Sequence, residues 1–231
     1  IHKARKTYQA LNNLGECASV AIVGAGLSGV ELAAELIESR PDLKIKLFDR
    51  GANILSAFSP RLSDYVAGWF KKNNVEIISK SNITKVEENI LYNHDIPIQS
   101  DVIVWTAGIQ PHKIVRELPI EKANSGRVKV TPLHQVPGYE NVFVVGDCAD
   151  LDHAPSGQLA EAQAEQIAMV LLKKWKGEPL PNELPKLKLK GVLGSLGKKH
   201  GFGLVADRTV TGRVARILKS GSLWMHRYHN G

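Results

Sequence analysis

The chain has 231 residues, 43% of them hydrophobic and 23% charged, with a net charge of +7 and a pI near 9.4. That is ordinary for a globular chain of one large or two modest domains; no apolar run reaches the roughly 18 residues of a membrane span, and no signal-peptide pattern opens it. The positive charge is scattered and not gathered with aromatics on one platform, which excludes nucleic acid as the expected partner.

Residues 1–16 are basic, with Ala4, Tyr8, Leu11 and Leu14 at helical spacing and Gly15 as a stop, so the spacing predicts a leading helix. Val20-Ala21-Ile22-Val23 is an apolar run of buried-strand character. It meets Gly24-Ala25-Gly26-Leu27-Ser28-Gly29, a Gly-x-Gly-x-x-Gly turn, and a helix opens directly behind it with Leu32, Ala33, Leu36 and Ile37 on one face. In such a turn the first glycine permits the bend, the second lets backbone approach a pyrophosphate, and the third lets helix and strand pack closely. The free N–H groups and positive dipole end of the helix then favour phosphate.

A second strand, Lys44 to Phe48, ends in Asp49, twenty positions after Gly29, where a carboxylate accepts hydrogen bonds from an adenosine ribose. A carboxylate there repels a 2′-phosphate, so NAD(H) is preferred to NADP(H). Arg50 beside it is open to three readings: a 2′-phosphate ligand, a stacking partner for adenine, or a solvated loop charge.

Pro60 precedes a helix over 61–73 with Leu62, Tyr65, Val66, Trp69 and Phe70 inward, and Val75–Ile78 is a third strand. Short alternating runs at 83–87, 89–92 and 96–98 predict an antiparallel meander closing one face of the sheet. Asp101–Trp105 is a further buried strand, and it runs into Thr106-Ala107-Gly108-Ile109. Ligands bind at the carboxyl ends of parallel strands, which places this turn beside the dinucleotide; the plainer reading is a glycine turn.

A proline-rich stretch over 111–137 contains a short strand, Arg127–Val130. Asn141–Asp147 is read as a strand ending in Gly146-Asp147, whose carboxylate suits either hydroxyls of a second cofactor or a loop cap. A helix over 158–175 follows, then a Pro179, Pro181, Pro185 linker. Lys186–Lys190 alternates as a half-exposed strand with a basic face, and 201–206 with 209–214 suggest a hairpin about Asp207-Arg208. Cys17 and Cys148 form no Cys-x-x-Cys pair, and the eight histidines have no ligand spacing, so neither dithiol chemistry nor a metal site is expected.

Taken in this order, Gly24 to Ala33, Trp105-Thr106-Ala107-Gly108 and Val144-Val145-Gly146-Asp147 resemble the two-dinucleotide flavoprotein superfamily, and within it the type II NADH:quinone oxidoreductases. The resemblance implies an α/β fold: a Rossmann-like NAD(H)-binding domain with a β-meander, plus the C-terminal half of a split FAD-binding domain whose first half precedes Ile1. It divides the chain into a linking helix over 1–18, an NAD(H) domain over 19–110, the second FAD part over 111–180 and a strand and hairpin region over 181–231. It implies hydride transfer from NADH to FAD and onward reduction of a quinone by the full-length protein, with this stretch alone expected to bind NADH without turnover. Glu31 matches the glutamate near the nicotinamide and flavin rings, though a first-turn helix acid also suits the dipole. Thr106 to Ile109 match the segment lining the nicotinamide cleft, Asp147 the acid beside the flavin ribityl or phosphate, and Gln158 and Leu159 part of an Ala-Gln-x-Ala-x-Gln pattern.

That pattern is broken at Ala162, where the second glutamine belongs. The alternatives are therefore another small electron acceptor, or an NAD(H)-binding or redox-sensing paralogue without quinone reductase activity. The resemblance also implies a cytoplasmic protein lying on the inner face of the cell membrane, with room for a homodimer. Trp224 and Tyr228 are candidate interfacial anchors, and Lys186, Lys188 and Lys190 a lipid-facing or merely solvated stripe.

Overall fold

The structure, a computed structural model, describes residues 2–152, 155–187, 191–206 and 208–229. Helix α1 (His2–Asn12) leads in, and Arg40 holds its end by donating to the carbonyls of Leu11, Leu14 and Gly15 at 3.1–3.3 Å while forking onto Asp42. Strand and helix then alternate through β1 (Ser19–Val23), α2 (Leu27–Ser39), β2 (Lys44–Phe48), α3 (Pro60–Lys72) and β3 (Glu76–Ile78). Three short strands, β4 (Ile83–Glu87), β5 (Ile90–Asn93) and β6 (Ile96–Gln99), come before β7 (Val102–Trp105).

Strands β3, β2, β1 and β7 form one sheet in that order, with every pairing parallel. Both faces of β1 are covered, which is why its run Val20–Val23 is apolar throughout and does not alternate. Val20 and Ile22 share a core with Val30 and Leu36 of α2 and Leu62, Val66 and Phe70 of α3. Ala21 and Phe48 face the other way, against Leu91 of β5, with Ile83 and Ile98 packed alongside. Each large side chain fully buried in this way contributes roughly 1.5–3 kcal/mol. The meander thus covers the second face, as its alternating runs predict.

The next stretch contains α4 (Lys113–Glu117), β8 (Val128–Lys129), β9 (Gln135–Val136) and β10 (Tyr139–Phe143). A 3-10 turn at Gly146–Cys148 leads to β11 (Ala149–Asp150) and the long α5 (Gly157–Lys176). The strand read over 141–147 ends at Phe143, and its pairing is antiparallel, with β9. The final elements are β12 (Gly191–Leu196), β13 (His200–Val205), β14 (Arg208–Thr211) and α6 (Gly212–His229).

Two compact units result, Ile1–Ala107 with Gly191–Gly231, and Gly108–Lys190. The C-terminal segment that the sequence sets apart from 181 onward therefore joins the parallel-sheet unit from Gly191. The reason is packing: Leu196 and Phe202 are fully buried in the same core as α2 and α3. The hairpin also differs from expectation. β14 stops at Thr211, Gly212 turns the chain at φ +72°, and 212–214 are helical. Here α6 lies close on β13, for a Cβ on Gly201 would sit 2.7 Å from the Arg216 nitrogen, and Ala215 is fully buried. Of the expected lysine strand, 188–190 fall outside the described residues, as does Asp207, and Lys186 and Leu187 are not in a strand.

At the entry edge of the sheet, Asp101 accepts from the Ser19 N–H and hydroxyl, both at 2.7 Å, and pins β1 beside β7. These bonds, the backbone N–H first, hold its carboxyl below the usual carboxylate range. A depressed folded value stabilises above the unfolded value of about 3.9 and is lost as pH falls through the folded one. Asp101→Asn should therefore melt lower than wild type at pH 7, with the gap closing toward pH 2; a gap that thermal melts find constant over that range contradicts this role.

Candidate functional site

The first site is built at the carboxyl end of β1, where the glycine turn meets the ends of β2 and β7. Gly24 sits at φ +105°, and a Cβ there would lie 2.8 Å from the Ala107 nitrogen. A Cβ on Gly29 would overlap the Gly24 carbonyl oxygen and come within 2.8 Å of Thr106 Oγ1. Both positions are closed to side chains by backbone. Gly26 is different: its φ is an ordinary −75°, and a Cβ there would meet nothing within 4 Å. The missing side chain leaves open space over the start of α2.

The donors around that space divide into used and unused. Gly24 N–H donates to Phe48 O at 2.8 Å and Ala25 N–H to Asp49 Oδ2 at 2.8 Å. The first bond of α2 runs from Val30 N–H to Gly26 O at 3.0 Å, and Gly26 as N-cap supplies no side-chain cap. The N–H groups of Leu27, Ser28 and Gly29 therefore have no intrahelical acceptor and point, with the dipole, out of the helix start. This is an anion-binding arrangement.

Asp49 stands beside it. Its Oδ2 holds Ala25 and its Oδ1 accepts from Gly51 N–H at 2.7 Å, so the carboxylate is fixed in place, yet ionised oxygens keep lone pairs for further donors. Arg50 is exposed. On the other flank, Thr106 Oγ1 lies 2.8 Å from Gly24 O and 3.0 Å from Val23 O, so its hydroxyl secures the turn. Trp105 is exposed at the strand end, its indole N–H donating to Ala107 O at 2.8 Å.

Glu31, at the first turn of α2, is half-buried. Its Oε1 accepts from Ser195 N–H at 2.8 Å and Ser195 hydroxyl at 3.0 Å in β12, and pairs with Lys219 Nζ of α6. Two turns along the same helix, Glu38 Oε1 accepts from Lys198 N–H at 2.8 Å. Two carboxylates of α2 thus dock the C-terminal sheet. Motif reading misses Ser195 and Lys219, because they are 164 and 188 residues from Glu31 and belong to no motif.

The remaining expected residues belong to the second unit. Gly146 adopts φ +66°, and its N–H donates at 2.8 Å to Oε1 of the buried Gln163 on α5, which makes Gln163 a further residue of that turn. Asp147 is exposed. Gln158 is exposed on the first turn of α5, while Leu159 is buried and its N–H donates to the N-cap Ser156 hydroxyl at 3.3 Å. Gly108, at φ +81°, and Ile109 are exposed, with Arg127 donating to Ile109 O at 3.4 Å. Among the described residues no group of three or more His, Cys, Asp or Glu is placed to hold a metal.

Residues 1–167 match the family model described as pyridine nucleotide-disulphide oxidoreductase. The NADH dehydrogenase-like protein YutJ of Bacillus subtilis is 65% identical over 231 residues, which cover all of this chain and 65% of that protein. The type II NADH:quinone oxidoreductase of Staphylococcus saprophyticus is 26% identical over 87% of this chain and 55% of its own length. The chain thus spans a little over half to about two thirds of the length of these relatives. In fold it matches the structure of Plasmodium falciparum NDH2 in complex with NADH, with a TM-score of 0.75 and 16% identity over 97% of this chain and 66% of that one.

The glycines separate folding from binding. Gly26→Val should cost about 0.5–1 kcal/mol of stability, the penalty of a β-branched residue at an N-cap whose Cβ enters open space, yet weaken NADH at least about tenfold by filling the anion site. Gly29→Ala should cost about 1–3 kcal/mol or more, through overlap with backbone. Thermal melts and NADH titration check both; a Gly26→Val protein that binds NADH normally contradicts the site.

Proposed function

This chain belongs to the pyridine nucleotide-disulphide oxidoreductase family, and on that premise we propose that the whole protein is a flavin-dependent NADH dehydrogenase that delivers electrons to a quinone. One observation carries the reading: the open start of α2 over Gly26 stands beside the fixed Asp49 carboxylate. Donors for a pyrophosphate next to an acceptor for ribose hydroxyls suit NADH. The names of the Bacillus and Staphylococcus relatives agree with it.

Gly24, Ala25 and Gly29 shape the turn, and Gly26, Leu27 and Ser28 take the pyrophosphate. Asp49 takes the adenosine ribose and disfavours a 2′-phosphate, with Arg50 at the rim. Thr106 and Ala107 are assigned to the nicotinamide side, where Glu31 offers a carboxylate. In the second unit, the exposed Asp147 after Gly146 fits a hydroxylated chain such as the flavin ribityl, and Gln158 and Leu159 begin the helix on that side. A flavin bound there supplies the hydride acceptor and relays electrons onward; the chain's own residues bind, orient and exclude water. Ala162, where the family pattern has glutamine, favours as second reading a different small acceptor.

No helix among the described residues is long and apolar enough to cross a membrane. A peripheral position on the inner face of the cell membrane fits α6, which exposes Val214, Ile217, Leu218, Trp224, Met225 and Tyr228 at helical spacing. The rings of Trp224 and Tyr228 stack there at 5.7 Å.

The test is a pair of titrations beside an assay of NADH oxidation by a soluble quinone. NADH should bind at least about tenfold more tightly than NADPH. Asp49→Asn should weaken NADH without gaining NADPH, because the same change loosens the Ala25 anchor. Equal affinity for the two nucleotides contradicts the Asp49 assignment, and flavin-loaded protein that oxidises NADH only with a non-quinone acceptor moves the function to the second reading.

A further inference from the structure

Three donors converge on a single oxygen of Glu31, and two of them come from Ser195. We infer that Ser195 is a positioning residue for the nicotinamide end of the site, acting through Glu31; the inference rests on the NADH reading above. Ser195 N–H at 2.8 Å, Ser195 hydroxyl at 3.0 Å and Lys219 Nζ all meet Oε1. Among the described residues no hydrogen bond is made to Oε2. The carboxylate cannot turn without surrendering the bonds to Oε1, so Oε2 is held out in one direction as an acceptor. Such an oxygen accepts from any N–H or O–H donor, and on the nicotinamide side, where the NADH reading puts Glu31, the N–H donor that NADH offers is the carboxamide.

The division of labour between the two partners follows from their attachments. Lys219 reaches Glu31 on a flexible four-carbon stem and supplies charge. Ser195 reaches it from the backbone of β12, where both neighbours are fixed. Gly194 accommodates the Phe202 ring, which a Cβ at 194 would overlap, and Leu196 is fully buried. The position of Oε1 is therefore set by a strand that cannot shift without opening the core. Lys219 follows that position, and Ser195 defines it.

The experiment titrates the protein with NADH, read by nicotinamide fluorescence, and with ADP-ribose, which has every part of the ligand but the nicotinamide. Ser195→Ala keeps the backbone donor and loses the hydroxyl, and it should raise the Kd for NADH about fivefold, the worth of one hydrogen bond. ADP-ribose should stay within about twofold. Ser195→Thr keeps a hydroxyl and should restore NADH binding. In Glu31→Gln the same three donors hold the amide oxygen at the Oε1 position. The side-chain NH2 then stands at Oε2, donor against donor, and NADH alone should weaken. Loss of both ligands alike in Ser195→Ala, which a merely structural hold on α2 would produce, overturns the inference, as does no loss of either. If Glu31→Gln leaves NADH unchanged while Gly26→Val still weakens it, the placement of Glu31 at the nicotinamide is what fails. If the wild-type protein binds neither ligand, the NADH reading itself fails.

Discussion

The structure depends on one close approach of backbone to backbone. Residue 29 lies so near the Gly24 carbonyl that no side chain fits between them, and Thr106 closes the same gap from the side. With glycine there, α2 begins immediately at the end of β1 and its first N–H groups emerge at the carboxyl edge of the sheet. Move the helix out by the width of a methyl group and those donors no longer converge with Asp49. A steric constraint at Gly29 is in this way converted into an electrostatic property at the helix start over Gly26, where an added Cβ would meet nothing.

Asp49 shows how one side chain serves fold and site together. Its carboxylate ties the glycine turn to the end of β2 through Ala25 and closes its own loop through Gly51. Those bonds preorganise the acceptor before any ligand arrives, so little reorganisation is needed on binding. The same economy recurs in α2, whose carboxylates at 31 and 38 dock the C-terminal sheet. The helix that opens the proposed nucleotide site is thus also the platform for β12 and α6, and the outward apolar stripe of α6 is carried by the element that reaches back to Glu31.

What was legible in the sequence was short in range. The apolar run of β1, the glycine spacing, Asp49 at the end of β2 and the alternating meander each express a local period or a steric rule, and the parallel sheet follows from them. The contacts of Glu31 do not, because Ser195 and Lys219 are brought to it only by packing of the C-terminal sheet on α2. The second task of Asp49 was equally hidden, since spacing says where a carboxylate sits and not what it already holds. At the C-terminus the run Thr209 to Val214 has a strand-like period, and the break at Gly212 is decided by the close seat of α6 on Gly201. Gln163 could have been assigned from its place one step after Ala162, but nothing in the sequence told that its oxygen meets Gly146.

The central claim is that the start of α2 holds the phosphates of NADH, and amide hydrogen exchange with and without NADH tests it most directly. Exchange should slow at Leu27, Ser28 and Gly29, whose N–H groups have no intrahelical acceptor, with Gly24 and Ala25, already bonded to Phe48 and Asp49, changed little. Protection that appears elsewhere while those three amides exchange as before would contradict it.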